Sequence, residues 1–183
     1  MELREQRFGI EIEMTGITRA GAAKGAAPYF GTRSEYVGTY YQTYAAVDQE
    51  GRQWKFMSDG SIRAEKKVNG EKRAAGAVYR TEMVSPICRY EDIEKIQELI
   101  RELKKKGAIV NESCGIHVHI DASPFDAGKL RNLTNIMAAK EDLIYKALGV
   151  SVERQHRWCR PVEERFLEEL NRRRPTSMEA VEE

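Results

Sequence analysis

Apolar and polar residues alternate with a period of two near the start of the chain. From Phe8 to Thr15, apolar side chains occupy every second position, and Glu11 and Glu13 lie among the residues on the other face. Such alternation is typical of a strand that is buried on one face. The segment therefore predicts a strand with one aliphatic face and one acidic face.

Similar patterns predict further strands along the chain. They cover Thr39–Val47, Gln53–Met57, Val78–Val84, Ala108–Asn111 and Cys114–Asp121. The first two form a hairpin around Asp48–Gly51, because Gly supplies the positive φ that a tight turn needs. Residues 63–76 are small and polar, and they predict a loop.

Apolar stripes with a period near 3.6 predict the helices. They cover Thr18–Phe30, Glu91–Lys106, a helix that ends at Gly149, and Glu163–Arg173. Strands mixed with helices and joined by hairpins predict the α+β class, with an antiparallel sheet and helices packed on one face. We expect one domain over residues 1–175 and a frayed tail over residues 176–183.

Composition and charge argue against two classes of protein, nucleic-acid-binding proteins with a net basic charge and membrane-spanning proteins. The 30 Lys and Arg residues nearly cancel the 29 Asp and Glu residues, which leaves a net charge of +1. A net basic field for nucleic acid is therefore absent, and no apolar run approaches the roughly 20 residues of a membrane helix. Three cysteines without framework spacing, and a charged N-terminus unlike a signal peptide, predict a reduced, cytoplasmic protein.

The polar faces of the strands carry groups that bind metals. Glu11 and Glu13 are two residues apart, so their carboxylates project from the same side at a spacing of about 7 Å. His117 and His119 have the same relation, and Glu82 lies on a third strand. If these strands are neighbours, one face collects three carboxylates and two imidazoles, a set that suits one or two hard cations. The alternative for each pair alone is an ordinary solvated sheet face.

Several motifs together resemble the amidoligase family. They are RFGIEIEMTGITR, WKFMSDGSI, TEMVSPI, CGIHVHID and RWCRP, in that order, and they run from Arg7 to Pro161. This family belongs to the superfamily of carboxylate–amine ligases that includes glutamine synthetase and gamma-glutamylcysteine ligase. The stretch GTYYQTY and the DGSI turn resemble phage or bacterial members of the family in particular.

The resemblance implies a sheet whose concave face binds ATP and Mg²⁺, with Mn²⁺ as a substitute. On this resemblance, we expect ATP to convert a small-molecule or peptide carboxylate to an acyl phosphate, from which an amine displaces phosphate to form an amide. By motif, the metal ligands are Glu11, Glu13, Glu82 and His119. Asp59 and Ser61 lie at the substrate end as catalytic residues, with Arg157 steadying phosphate charge. The expected ATP-binding residues are Lys55, Arg63, His117, Arg157 and Arg160.

One departure from the family pattern concerns whether this chain contains every strand of the family's active site. Members carry a later Glu-x-Arg strand, whereas Glu163-Glu164-Arg165 lies in a helical pattern here. We therefore expect the N-terminal part of such an enzyme, which needs a homo-oligomer or a missing C-terminal half. Two other hypotheses remain: a metal-dependent hydrolase that uses the same Glu and His face, and a non-catalytic domain that binds a partner through a sheet edge.

Overall fold

The computed structural model describes residues 2–182. Backbone contacts group the chain into two compact units, one through Asp121 and one from Ala122 onward. The first unit contains the strands and two helices, and the second is helical. A compact unit is not the same as an independently folding domain, so the single domain over residues 1–175 stays a prediction. Residue 183 of the predicted tail lies outside the described residues.

The first unit is built on a six-stranded sheet. In chain order its strands are β1 (Phe8–Met14), β2 (Ser34–Gly38), β3 (Thr43–Val47), β4 (Gln53–Met57), β7 (Thr81–Val84) and β8 (Ile116–Ile120). The spatial order is β2-β3-β4-β7-β1-β8, and all neighbours are antiparallel. The α+β class with an antiparallel sheet is confirmed.

Helices α1 (Arg19–Phe30) and α2 (Asp92–Lys105) share one core with the sheet. Four of the five alanines of α1 are buried, so this helix packs against β3 and β4 through small side chains. Trp54, Phe56 and Met83 fill the sheet side of the core, and Leu99 and Leu103 fill the α2 side. The aliphatic face of the alternating strands is therefore the face that the helices cover.

Over residues 122–182, the second unit consists of four α-helices. They are α3 (Ala127–Leu148), α4 (Val152–Arg157), α5 (Glu164–Arg173) and α6 (Glu179–Glu182). Asp126 and Ser151 cap α3 and α4 with side-chain oxygens, and Gly149 ends α3 in the left-handed conformation. None of the helices within residues 2–182 is both long enough and apolar enough to cross a membrane.

The loop predicted for residues 63–76 is wrong. This segment forms a separate hairpin of β5 (Glu65–Val68) and β6 (Glu71–Ala74). Asn69 and Gly70 both have positive φ, 52° and 85°, as a two-residue hairpin turn of type I′ requires. The Asn-Gly pair is the signal for this hairpin, and it outweighs the polar composition of the strands.

Three predicted strands have different limits in the structure. Thr39 and Gln42 adopt positive φ, so the strand that was predicted to begin at Thr39 begins at Thr43, as β3. Strand β2 precedes it and was not predicted. A 3-10 helix occupies Ala77–Tyr79, so the strand predicted from Val78 begins at Thr81, as β7. The Ala108–Asn111 segment makes one bridge, between Ile109 and Thr15.

Candidate active site

The pairing of β1 with β7 brings three glutamates to one face of the sheet. Glu13 is directly opposite Glu82, and Glu11 is opposite Val84 in the same ladder. Directly opposed residues of antiparallel strands project from the same side. Glu11, Glu13 and Glu82 therefore share the face opposite the one that α1 and α2 cover, and we call this the acidic face.

The pairing of β1 with β8 adds both imidazoles to the acidic face. His117 is opposite Glu11, and His119 is opposite Gly9. The Nδ1 atom of His117 lies 3.0 Å from Glu11 Oε2, and the Nε2 atom of His119 lies 3.3 Å from the same oxygen. The expectation that the glutamates and histidines share one face is confirmed.

The turn after β4 adds a fourth carboxylate. The Ser61 hydroxyl donates to Asp59 Oδ1 at 2.6 Å and lies 3.3 Å from Glu13 Oε1. The Ser61 backbone N–H also donates to Asp59 Oδ1 at 2.6 Å, which fixes the turn. Asp59 and Ser61 thus border the glutamates, although their catalytic roles stay predictions.

The side chains of the acidic face form two overlapping sets of possible metal ligands. One set is Glu11, Glu82 and His117, and the other is Glu13, Asp59 and Glu82. Within each set the ligand atoms lie within 4.8 Å of one another. Because Glu82 belongs to both sets, two cations bound here would have this carboxylate in common.

The electrostatics of the acidic face are those of an incompletely neutralised carboxylate cluster. Burial, followed by the charges of Glu11, Asp59 and Glu13, raises the pKa of the Glu82 carboxyl to about 7. Burial also acts to raise the pKa of Glu11, but hydrogen bonds to His117 and His119 outweigh it and hold that pKa below its ordinary value. The Glu82 carboxyl, which belongs to both ligand sets, is therefore the member of the cluster that most readily takes up a proton or would gain most from a bound cation.

Carboxylate oxygens that converge in this way fit a divalent cation. Mg²⁺ and Mn²⁺ prefer oxygen ligands, and Mn²⁺ also accepts imidazole nitrogen. A bound cation would offset the mutual repulsion that raises the pKa of Glu82. Of the four metal ligands expected from the sequence, Glu11, Glu13 and Glu82 belong to these sets and His119 does not, and cation binding stays a prediction.

The cationic residues expected at ATP lie in different places. Lys55 is opposite Val84 in the β4–β7 ladder and therefore projects from the acidic face. Arg63 is near the Asp59 turn, where its guanidinium pairs with Glu112 at 2.8 Å and Glu65 at 3.3 Å. Arg63 must exchange these partners to bind phosphate.

Two further arginines of the expected ATP site belong to the second unit. The Arg157 guanidinium stacks over the Trp158 ring at 4.9 Å, and Arg160 donates to the backbone oxygen of His156 at 3.2 Å. Their roles at phosphate stay predictions.

Two features of the site were not anticipated from the sequence. Asp59 joins a ligand set, although its motif suggested the substrate end. The backbone N–H of Gly115 donates to Glu13 Oε2 at 2.5 Å, which orients that carboxylate. Every residue other than proline carries such an N–H, so the residue type at position 115 gave no signal for this contact.

Comparison with known proteins decides the family. A family model described as a "Putative amidoligase enzyme" matches residues 4–183. The chain belongs to the amidoligase family. The resemblance noted in the sequence is confirmed, and the family description supports a ligase. No curated protein and no solved structure gives a significant match to this chain.

Proposed function

We propose that this amidoligase uses ATP and Mg²⁺ to join a small-molecule or peptide carboxylate to an amine. The observation that carries the proposal is the acidic face, where Glu82 connects two sets of cation ligands. Phosphoryl transfer from ATP needs cations that neutralise charge on the phosphates. A cluster of four carboxylates meets that need on a sheet of the expected class.

The residues of the acidic face have different roles in the proposed reaction. Glu11, Glu82 and His117 would hold one cation, and Glu13, Asp59 and Glu82 would hold the other. Bound cations would supply positive charge that stabilises the negative charge developing on the phosphates during transfer. His119 contacts Glu11 and keeps that carboxylate oriented.

The proposed reaction has two balanced steps. A carboxylate oxygen of the substrate attacks the γ-phosphorus of ATP, the bond to the β–γ bridging oxygen breaks, and ADP leaves. The amine nitrogen then attacks the acyl carbon, phosphate leaves, and the amine loses a proton as the amide forms. Lys55 and Arg63 supply cationic groups for the phosphates, and the Ser61 hydroxyl offers a hydrogen bond at the substrate end.

A metal-dependent hydrolase is the second candidate, and His117 is the observation that favours it. An imidazole beside two carboxylates also suits a cation that activates water. A hydrolase of this kind needs no nucleotide. ATP dependence of turnover therefore separates the two functions.

The test combines cation binding with turnover. Mn²⁺ binding to the full chain is measured by electron paramagnetic resonance, and phosphate release from MgATP is measured with hydroxylamine and a panel of small carboxylates. We expect Mn²⁺ binding and a carboxylate-dependent release of phosphate with hydroxamate formation. Glu82→Gln should lose both signals, and Glu35→Gln, an exposed glutamate of β2, should keep them. Hydrolysis of a substrate without nucleotide would instead support the hydrolase.

A further inference from the structure

Strand β8 exposes one full edge of its backbone. Within residues 2–182 its strand neighbour is β1 alone. The N–H of Glu13 donates to the oxygen of Gly115, and the N–H of Asp121 donates to the oxygen of Arg7, each at 3.0 Å. Backbone groups alternate in direction along an antiparallel ladder. The residues between, Ile116, Val118 and Ile120, therefore direct their N–H and C=O groups away from β1.

The side chains at this edge are β-branched and open to solvent. Ile116, Val118 and Ile120 are 64%, 57% and 51% exposed. Edge strands are usually protected by charges, prolines or bulges, because unpaired backbone groups invite another strand. The opposite edge strand β2 has such protection, with Glu35 and a register shift between Tyr36 and Gly38. Strand β8 has neither lysine, proline nor bulge.

The sequence of β8 is identical in both directions. It reads Ile-His-Val-His-Ile. Two antiparallel copies related by a two-fold axis at Val118 place Ile116 opposite Ile120 of the partner subunit and Val118 opposite itself. Each of these three residues then faces a residue of the partner whose backbone groups also point outward. Each of the three pairs exchanges two backbone hydrogen bonds, which gives six in total. If one β8 strand slipped by one residue, the outward-directed N–H and C=O groups of each copy would face residues of the other copy whose backbone groups are already bonded to β1.

We propose that two copies of this chain pair through β8 to form one continuous twelve-stranded sheet. The self-complementary edge identifies the occupant as a second copy, because the same patch satisfies itself about a two-fold axis. The axis is perpendicular to the sheet, so both acidic faces lie on the same side. His117 then lies opposite His119 of the partner subunit, and the partner adds an imidazole beside the Glu11 ligand set. The pairing does not depend on the proposed ligase reaction.

The size of the contact sets the strength of the dimer. Five paired residues extend about 17 Å. Such a contact buries less than the roughly 1,200 Å² of a stable interface. The dimer is therefore concentration-dependent, with backbone hydrogen bonds and six β-branched side chains as its contacts.

The first test measures the mass of the full chain by sedimentation equilibrium from about 1 µM to about 500 µM. We expect the mass to rise from 20.9 kDa toward twice that value. Val118→Lys and Val118→Pro should remain monomeric, because they place a charge at the edge or remove an outward N–H. Val37→Lys alters an exposed valine on the opposite edge strand and should dimerise like the wild type. A monomeric wild type at the highest concentration would overturn the proposal.

The second test measures the register by disulfide formation. Val118→Cys places two thiols opposite each other, with Cα atoms about 5.5 Å apart, within disulfide range. Ile116→Cys is the matched control, because its two copies are about 13 Å apart in the proposed register. We expect oxidation to cross-link Val118→Cys several-fold faster than Ile116→Cys, with the wild type as the baseline for its three native cysteines. Equal cross-linking by both variants, or none by Val118→Cys, would contradict the proposal.

Discussion

Glu13 and Glu82 face each other directly across strands β1 and β7. Both side chains are buried, at 4% and 8% exposure, and like charges in this position destabilise a sheet. A folded protein keeps such a pair where the repulsion serves a ligand. This pairing is the structural reason to regard the acidic face as a functional site.

Replacing Glu82 with Gln should stabilise the protein without metal and abolish metal binding. The substitution keeps the size of the side chain and removes a carboxyl whose pKa is raised to about 7, first by burial and then by its acidic neighbours. At pH 8 we expect the free energy of unfolding to rise by about 1–3 kcal/mol. Urea denaturation with EDTA and with Mn²⁺ measures both effects, with Glu35→Gln as the control. A destabilised variant without metal would show that Glu82 is structural.

The two histidines should differ in their effect on metal affinity. Among the described residues, His117 belongs to a ligand set, whereas His119 belongs to neither set and lies 3.3 Å from Glu11 Oε2. We expect His117→Ala to weaken Mn²⁺ binding by at least about 10-fold and His119→Ala by less. The family motif favoured the opposite order, so titration of both variants at pH 7.5 distinguishes the two assignments. A larger loss for His119→Ala would support the motif.

The ion pair between Arg52 and Asp92 should make the protein acid-sensitive. Two Arg52 nitrogens donate to Asp92 at 2.7 and 2.8 Å, and these bonds hold the pKa of Asp92 well below its ordinary value. A depressed pKa contributes stability above the unfolded value of about 3.9, and this stability is lost as pH falls through the folded value.

Asp92→Asn is therefore expected to lower the free energy of unfolding by about 2–3 kcal/mol at pH 7. The difference from the wild type should shrink below about pH 4. Denaturation midpoints from pH 7 to pH 3 check this dependence, with the exposed Asp142→Asn as the control. A difference that is constant with pH would exclude the ion pair as its cause.

Gly16 should not tolerate a side chain. Its φ is +79°, and a Cβ would lie 2.4 Å from the backbone oxygen of Gly107. We expect Gly16→Ala to cost more than about 2 kcal/mol, because both strain and overlap must be relieved. Gly76→Ala, where a Cβ would have open space, should change the stability by less than about 0.5 kcal/mol. Similar melting temperatures for both variants would contradict the conclusion that a side chain at position 16 overlaps the Gly107 backbone.

Local patterns were sufficient for most elements of the fold. The alternation of β1 fixed which face carries Glu11 and Glu13, since side chains on a strand alternate with a period of two. The limits of β4 and α5 agree with their predictions to within one residue. The β5–β6 hairpin was missed, because its polar strands lack the hydrophobic signal and only Asn69-Gly70 indicated it.

The sequence by itself determined that Glu and His residues lie on the polar faces of separate strands, because that choice follows from backbone geometry within each strand. The tertiary structure alone decided that β1 lies between β7 and β8. That order pairs Glu13 with Glu82 and Glu11 with His117, and the turn after β4 brings Asp59 to the same point. Pairing between distant strands depends on how the whole core is covered, and no local period encodes it.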